Sequence, residues 1–319
     1  TLDYPSYVPL ITYAEDRNLR KKICLAFSKR GFQKNENNNS KIILEIITQR
    51  QKRSILLGYD SHADFVLEER MAKSVKNVND FLDDLTEKAK PFAKKEWEAM
   101  ELFAKKKLNL KDLEKWDSAF VSEKLKESEL QLNEQELKPY FQLDQVLNGL
   151  FEIVKRLYGI DFKENKQLDI YHSEVKVFEV YKNDNFYALL YTDFFPRSGK
   201  RSGAWMTSYR SQKKNQRPHI SIVCNFSRPT VTQPSLLTFQ EVTTLFHEFG
   251  HALHGILANT NYNGLSGTNV YWDFVELPSQ IMENWCFETE ALNLFAKHFK
   301  KQDLIPQDLI NKIKKAAYF

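Results

Sequence analysis

Apolar residues recur at helical spacing through most of the first 160 residues. Ile11, Tyr13 and Ala14, then Leu19, Ile23, Ala26 and Phe27, mark one periodic stretch over residues 1–30. The polar tract 35–40 reads as a loop ending on a helix N-cap signal. Periodicity resumes at Ile42, and Gly58 stops it after Leu57, as glycine does just past a helix C-terminus. The same spacing predicts helices over 61–72, 75–107 and 130–158. After about residue 165 the period shortens to two. Segments 168–172, 175–181 and 186–192 alternate and are rich in β-branched and aromatic residues, with Asn183-Asp184-Asn185 as a hairpin turn, and 220–225 forms a further strand. Helical spacing returns over 238–258, 273–299 and 306–317. The expectation is a mainly α fold with a small antiparallel β-sheet beside its later helices. A helical region, 1–160, precedes a region of sheet and helices, 161–319. Because the helical pattern runs off both ends, the two read as one continuous domain, incomplete at both ends.

Composition adds mainly exclusions. With only 10 Gly and 10 Pro in 319 residues, and charges spread through Lys/Glu/Leu-rich stretches, helices are favoured over sheets. The net charge of +4 is a mild excess at this length. No basic block is interleaved with aromatics, so no nucleic-acid partner is expected, and Lys105-Lys106-Lys107 and Lys213-Lys214 read as solvated faces. No apolar run reaches membrane-spanning length, so no membrane partner is expected either. Cys24, Cys224 and Cys286 are far apart, form no CxxC pair and read as buried hydrophobes. With no export signal the expected compartment is the cytoplasm, or the periplasm if a signal segment has been lost ahead of Thr1.

The chemistry concentrates in Thr244-Leu-Phe-His247-Glu248-Phe-Gly-His251-Ala-Leu-His254. This is HExxH on a predicted helix. Positions i and i+4 share a helix face, so both imidazoles can reach one ion, and Glu248 projects beside them where it can act as general base on a metal-bound water. Two ordinary, partly buried histidines are the alternative. A catalytic zinc needs a third protein ligand and an open position. Glu276, in Asp273-Phe-Val-Glu276-Leu-Pro-Ser-Gln280, is the candidate. It reads equally as a capping-box acid reaching back to the amide of Asp273, the predicted N-cap. Gly250 inside the first helix suggests a close helix–helix approach. Glu283, two turns after Glu276, and Asp273 are candidates to receive the second ring N–H of a ligand histidine. His254 reads as a packing residue or a substrate contact. Gly203 and Ala204 follow the loop 196–200, and small residues there read either as a simple turn or as a place where a peptide backbone approaches the chain closely.

Phe246-His-Glu-Phe-Gly-His251, Leu265-Ser-Gly-Thr268 and Asp273-Phe-Val-Glu-Leu-Pro-Ser-Gln280 together resemble the thimet oligopeptidase family of zinc metallopeptidases. Lys200-Arg-Ser-Gly-Ala-Trp-Met206, Val223-Cys-Asn-Phe226 and the stretch around Leu57-Gly-Tyr59, Ala63-Asp64 and Met71-Ala72-Lys73 extend the resemblance over most of residues 40–290. The resemblance implies a multi-helix, zincin-type metallopeptidase. It implies one zinc per chain, held by His247, His251 and Glu276, and a deep channel admitting oligopeptides. It makes 161–319 a catalytic region. Family members are about twice this length, and a tyrosine and a histidine that stabilise the tetrahedral intermediate lie in the part that would follow Phe319. The remainder of a longer chain is therefore expected to be needed for activity. The expected reaction is release of C-terminal dipeptides, with an oligopeptidase A-like endopeptidase, or a zinc-binding but catalytically incomplete piece, as alternatives.

Overall fold

The computed structural model describes residue 2 and residues 4–132 and 134–317. Contacts divide the chain into two compact units, Thr1–Gln131 and Leu132–Phe319.

The first unit is helical: α1 (Tyr4–Tyr13), α2 (Arg17–Ser28), α3 (Ser40–Leu56), α4 (His62–Leu67), α5 (Val75–Lys107) and α6 (Ser118–Leu130). The periodic stretch over 1–30 is two helices because the Asp16 carboxylate accepts from the amides of Asn18 and Leu19 and starts α2 afresh. Gly58 sits just past the end of α3 at φ +86°, as its role as a stop requires. Helix α4 ends at Leu67, short of the predicted residue 72. Helix α6 was not marked by the sequence pattern. Its Phe120 and Val121 form a small core with Ala104 of α5, and Met100 and Phe103 pack against it. Asp117, fully buried, takes charged hydrogen bonds from Arg17 and the buried Arg20, so these charges are compensated. Leu44, Ile47, Phe81 and Phe92 on α3 and α5 are exposed.

The second unit opens with α7 (Glu134–Leu137) and α8 (Leu143–Tyr158). The single helix expected over 130–158 is interrupted. Gln131 is left-handed at φ +48°, and the 3₁₀ turn Lys138–Tyr140 carries Pro139, which cannot donate a helical hydrogen bond. Strands β1 (Ile160–Glu164), β2 (Lys176–Lys182), β3 (Asn185–Asp193), β4 (Trp205–Arg210) and β5 (His219–Val223) form one sheet in the order β1-β2-β3-β5-β4. The β2–β3 turn uses Asn183 and Asp184 at φ +50° and +61°, residue types that tolerate the left-handed region. The sheet corrects the expectation of a wholly antiparallel one, because β3 and β5 pair in parallel and make it mixed. Segment 168–172, expected to be a strand, is not one, and β1 and β4 were not predicted.

The remaining helices are α9 (Phe239–Ile256), α10 (Leu277–Glu283), α11 (Thr289–Phe295) and α12 (Gln307–Ala316). The helix expected over 273–299 is two short helices joined by a 3₁₀ turn, Asn284–Phe287. Helix α8, which the sequence assigned to the first region, belongs with the sheet: it packs on β1 and on α11. Gly149 admits α11, since a Cβ there would stand 2.4 Å from the Phe295 Cβ. The core runs through Phe151, Phe162 and Phe249, whose rings join α8, β1 and α9. Among the described residues, no helix is long and apolar enough to cross a membrane.

Candidate metal centre

Helix α9 begins with a complete capping box. The Thr238 hydroxyl accepts from the Glu241 amide, and the Glu241 carboxylate accepts from the Thr238 amide. Val242, Leu245, Phe246, Phe249, Ala252 and Leu253 are buried, and this anchoring leaves one face for His247 and His251. Their rings lie 5.0 Å apart, nearly perpendicular, as i and i+4 positions allow.

Helix α10 crosses α9 at Gly250. A Cβ there would stand 2.5 Å from the Ser279 Cα and 2.6 Å from the Pro278 oxygen, so the crossing requires glycine. The close approach expected of Gly250 is therefore present. It sets Glu276 against the histidines, with its Oε2 3.3 Å from Nε2 of His247 and 3.1 Å from Nε2 of His251. The three donor atoms lie within 4.8 Å of one another.

Glu276 is itself the N-cap position of α10, which has no side-chain cap bond. Asp273, predicted as the cap, lies upstream in a turn held by Phe274 N–H to Tyr271 O and Leu277 N–H to Phe274 O. The capping-box alternative for Glu276 is thus not what the chain adopts. Instead Ser279 Oγ donates to Glu276 Oε2 at 2.9 Å and fixes the carboxylate. Of the two candidates to receive a histidine ring N–H, Glu283 stands in contact with one: its Oε1 lies 2.6 Å from Nδ1 of His247.

The donor set fits one zinc ion. Two atoms each about 2.0–2.2 Å from a tetrahedral ion are about 3.3–3.5 Å apart, close to the nitrogen–oxygen separations present. Nδ1 of His251 is buried without a hydrogen-bond partner among the described residues. Burial pushes the His251 pKa down, which keeps the ring in the neutral, ligating form.

Glu248 is buried on the same helix and, among the described residues, its side chain makes no hydrogen bond. Its pKa is raised to about 7. Burial is the main cause, the nearby His247 opposes it and Glu276 adds to it. A carboxylate in this state can take and return a proton near neutral pH. His254 is not brought to the ligand atoms. It faces Phe274 and lines a cavity of about 420 Å³ with Leu253, Leu257, Val270 and Pro278.

Gly203 and Ala204 lead into β4, the edge strand of the sheet beside α9. Gly203 is at φ +97°, where a side chain is strained. The approach to it is fixed by residues that the sequence pattern does not single out. Asn225 Nδ2 donates to the carbonyls of Arg201 at 3.0 Å and Gly203 at 2.7 Å. Lys200 Nζ donates to Asp193 Oδ1 and to the carbonyls of Asp193, Phe195 and Cys224. Gln212, on the turn after β4, pins the loop between α9 and α10, exchanging bonds with Thr260 and accepting from Ser266 Oγ. Lys200 and Asn225 fall in blocks that carry the family resemblance, but no periodicity or spacing marks any of these anchors, because their partners are mostly backbone groups brought near by the fold.

Fold and site together define a helical protein in which an HExxH helix and a glutamate form a group that could hold a metal ion, beside the edge of a small sheet. Residues 10–319 match Peptidase family M3, and the chain belongs to that family. It is 41% identical over 324 residues to oligopeptidase A of Escherichia coli (strain K12), covering 98% of this chain and 48% of that protein. It is 35% identical over 315 residues to dipeptidyl carboxypeptidase of the same organism, covering 98% of this chain and 46% of that one. It is 30% identical over 343 residues to saccharolysin of Saccharomyces cerevisiae (strain ATCC 204508 / S288c), covering 100% of this chain and 47% of that protein. The chain thus spans about half the length of these relatives.

Proposed function

We propose that the protein is a zinc-dependent peptidase acting on short peptides, with Leu132–Phe319 carrying the catalytic machinery. The observation that carries this is the convergence of His247, His251 and Glu276 on one point, with the buried Glu248 beside them. One zinc per chain would be held by those three side chains. When bound, it supplies Lewis acidity toward a water molecule and toward the carbonyl of the scissile bond. Glu283 and Ser279 hold His247 and Glu276 in place. Glu248 takes the proton of the attacking water on its carboxylate and returns it to the leaving amine nitrogen. The edge strand β4, entered through Gly203 and Ala204, is where an extended peptide pairs by its backbone, an interaction that imposes little side-chain selectivity.

Within this reading the reaction is release of dipeptides from free C-termini. A second reading, an endopeptidase, is favoured by the higher identity to oligopeptidase A. Peptides that differ only in a free or an amidated C-terminus separate the two, since only the first reaction requires the carboxylate. The exposed apolar residues of α3 and α5 support the view that full activity needs more chain than these 319 residues. A third reading, binding of zinc without turnover, is tested by assaying the 319-residue chain beside the whole protein at equal zinc occupancy. The direct test of the mechanism is Glu248→Gln in the whole protein. It keeps zinc and loses turnover by at least about 10²–10⁴-fold, the usual worth of general-base help. Loss of zinc, or near-normal turnover, would show that the role is wrong.

A further inference from the structure

The cations around the start of β4 are unequally used. Arg197 makes a two-pronged ion pair with Asp193, and Lys200 is enclosed by Asp193 and three carbonyls. Arg228 is paired with Glu174. Arg201, between Lys200 and Gly203, is exposed, and among the described residues its side chain has no hydrogen bond or ion pair. Its backbone is nevertheless held, because its carbonyl accepts from Asn225 and the neighbouring Lys200 is locked. A guanidinium is thus carried on a fixed stem and left without a partner.

Its position along the site follows from the packing of β4 and β5 on α9. Gly255 lies beneath the middle of the strands, where a Cβ would meet Ile220 Cδ1 at 2.7 Å and Met206 Cε at 4.0 Å. Glu248 is seven residues earlier, about 10 Å back along the helix. Arg217, ahead of β5, donates to the carbonyls of Ile256 and Ala258, and the Glu241 carboxylate accepts from the Ser227 amide beyond β5, so α9 runs antiparallel to β5 and Glu248 lies toward Cys224. Cys224 follows Val223, which pairs with Trp205, so this level corresponds to Ala204. The stretch of α9 that bears His247, Glu248 and His251 therefore lies beside the start of β4.

A peptide pairing with the free edge of β4 does so best antiparallel, the slightly more stable arrangement. Its C-terminus then points back along the chain, from Ala204 toward Gly203, Ser202 and Arg201. Two extended residues cover about 7 Å. A peptide whose scissile bond lies level with Ala204 and whose chain ends two residues later places its terminal carboxylate level with Ser202, within reach of the long side chain of the adjacent Arg201.

We propose that Arg201 is the specificity-determining residue for peptides with a free C-terminus: its guanidinium receives the terminal carboxylate two residues beyond the scissile bond. Planar, permanently charged and two-pronged, this group suits a carboxylate better than a lysine would. The inference rests on the peptidase reading above and makes it more specific, since a bound carboxylate at that distance sets the length of the released piece to a dipeptide.

The test uses the zinc-loaded whole protein and pairs of peptides identical except for a free or an amidated C-terminus, with kcat and KM measured for each. The wild type favours the free acid. Arg201→Gln reduces the acid-to-amide ratio of kcat/KM by about ten- to a hundredfold, the usual worth of a hydrogen bond to a charged group. The change resides in KM for the acid peptide, and Arg201→Lys restores part of it. Lys214→Gln, which removes an exposed charge beyond the other end of β4, controls for general attraction and keeps the wild-type ratio. The proposal is overturned if Arg201→Gln keeps the wild-type ratio, if Lys214→Gln lowers it equally, or if the wild type cleaves acid and amide alike. Absence of any cleavage by the zinc-loaded protein would instead remove the peptidase reading, and this inference with it.

Discussion

Glu283 Oε1 lies 2.6 Å from Nδ1 of His247. That contact sets which nitrogen of the ring faces the candidate metal position. A carboxylate accepting from Nδ1 leaves Nε2 free of hydrogen and aimed at Glu276 and His251, the tautomer a ligand needs. Glu283→Gln should therefore weaken zinc binding by about 10–100-fold without removing a ligand. Competition with a chelator of known affinity measures it, and unchanged affinity would mean that the contact is incidental.

The ligands themselves are tested by stoichiometry. Metal analysis should find about one zinc per chain, as a site of three protein ligands and an open position requires. His251→Ala should lose most of it after dialysis. Full retention in that variant would place the metal elsewhere.

Gly250 offers a test in which two effects oppose each other. Alanine is favoured over glycine inside a helix by about 1 kcal/mol. At this position, however, its Cβ would stand 2.5 Å from the Ser279 Cα, a backbone atom that cannot swing away. Forced overpacking usually costs about 1–3 kcal/mol, so Gly250→Ala should destabilise the protein. It should also weaken zinc binding, because α10 carries Glu276. Urea titration with a parallel zinc titration reads both, and a stabilised variant with intact zinc affinity would contradict the close crossing.

Asp193 predicts a pH dependence. Burial pushes its pKa up, but hydrogen bonds from Arg197, Lys200 and Tyr171 outweigh that and lower it from 3.8 to about 2. A carboxyl whose pKa is lower in the folded state stabilises the fold above its unfolded pKa and loses that contribution as pH falls through the folded one. The gap in melting temperature between the wild type and Asp193→Asn should hold near neutrality and shrink between about pH 4 and about pH 2. A gap independent of pH would show that the ion cluster contributes nothing as a charge.

Elements whose causes are local were legible in the chain alone. The capping box at Thr238, the i, i+4 histidines, the glycine stop at Gly58 and the Asn183-Asp184 turn each depend on residues within a few positions. The helix over 75–107, long and strongly periodic, fell where its pattern placed it. What distant residues impose came only with the folded arrangement. Glu276 read equally as a cap or a ligand until the crossing at Gly250 set it against His247 and His251. The helix over 273–299 broke into short pieces although its spacing was continuous, and β4 became a strand only because β5 offered it an edge to pair with. The parallel pairing of β3 with β5 joins segments that no local turn connects, so no local pattern could announce it. Ser279, Asn225 and Gln212 owe their roles to single hydrogen bonds across the fold. Such bonds carry no periodicity, so although Ser279 and Asn225 lie in blocks that resemble the family, no local pattern announces what they hold.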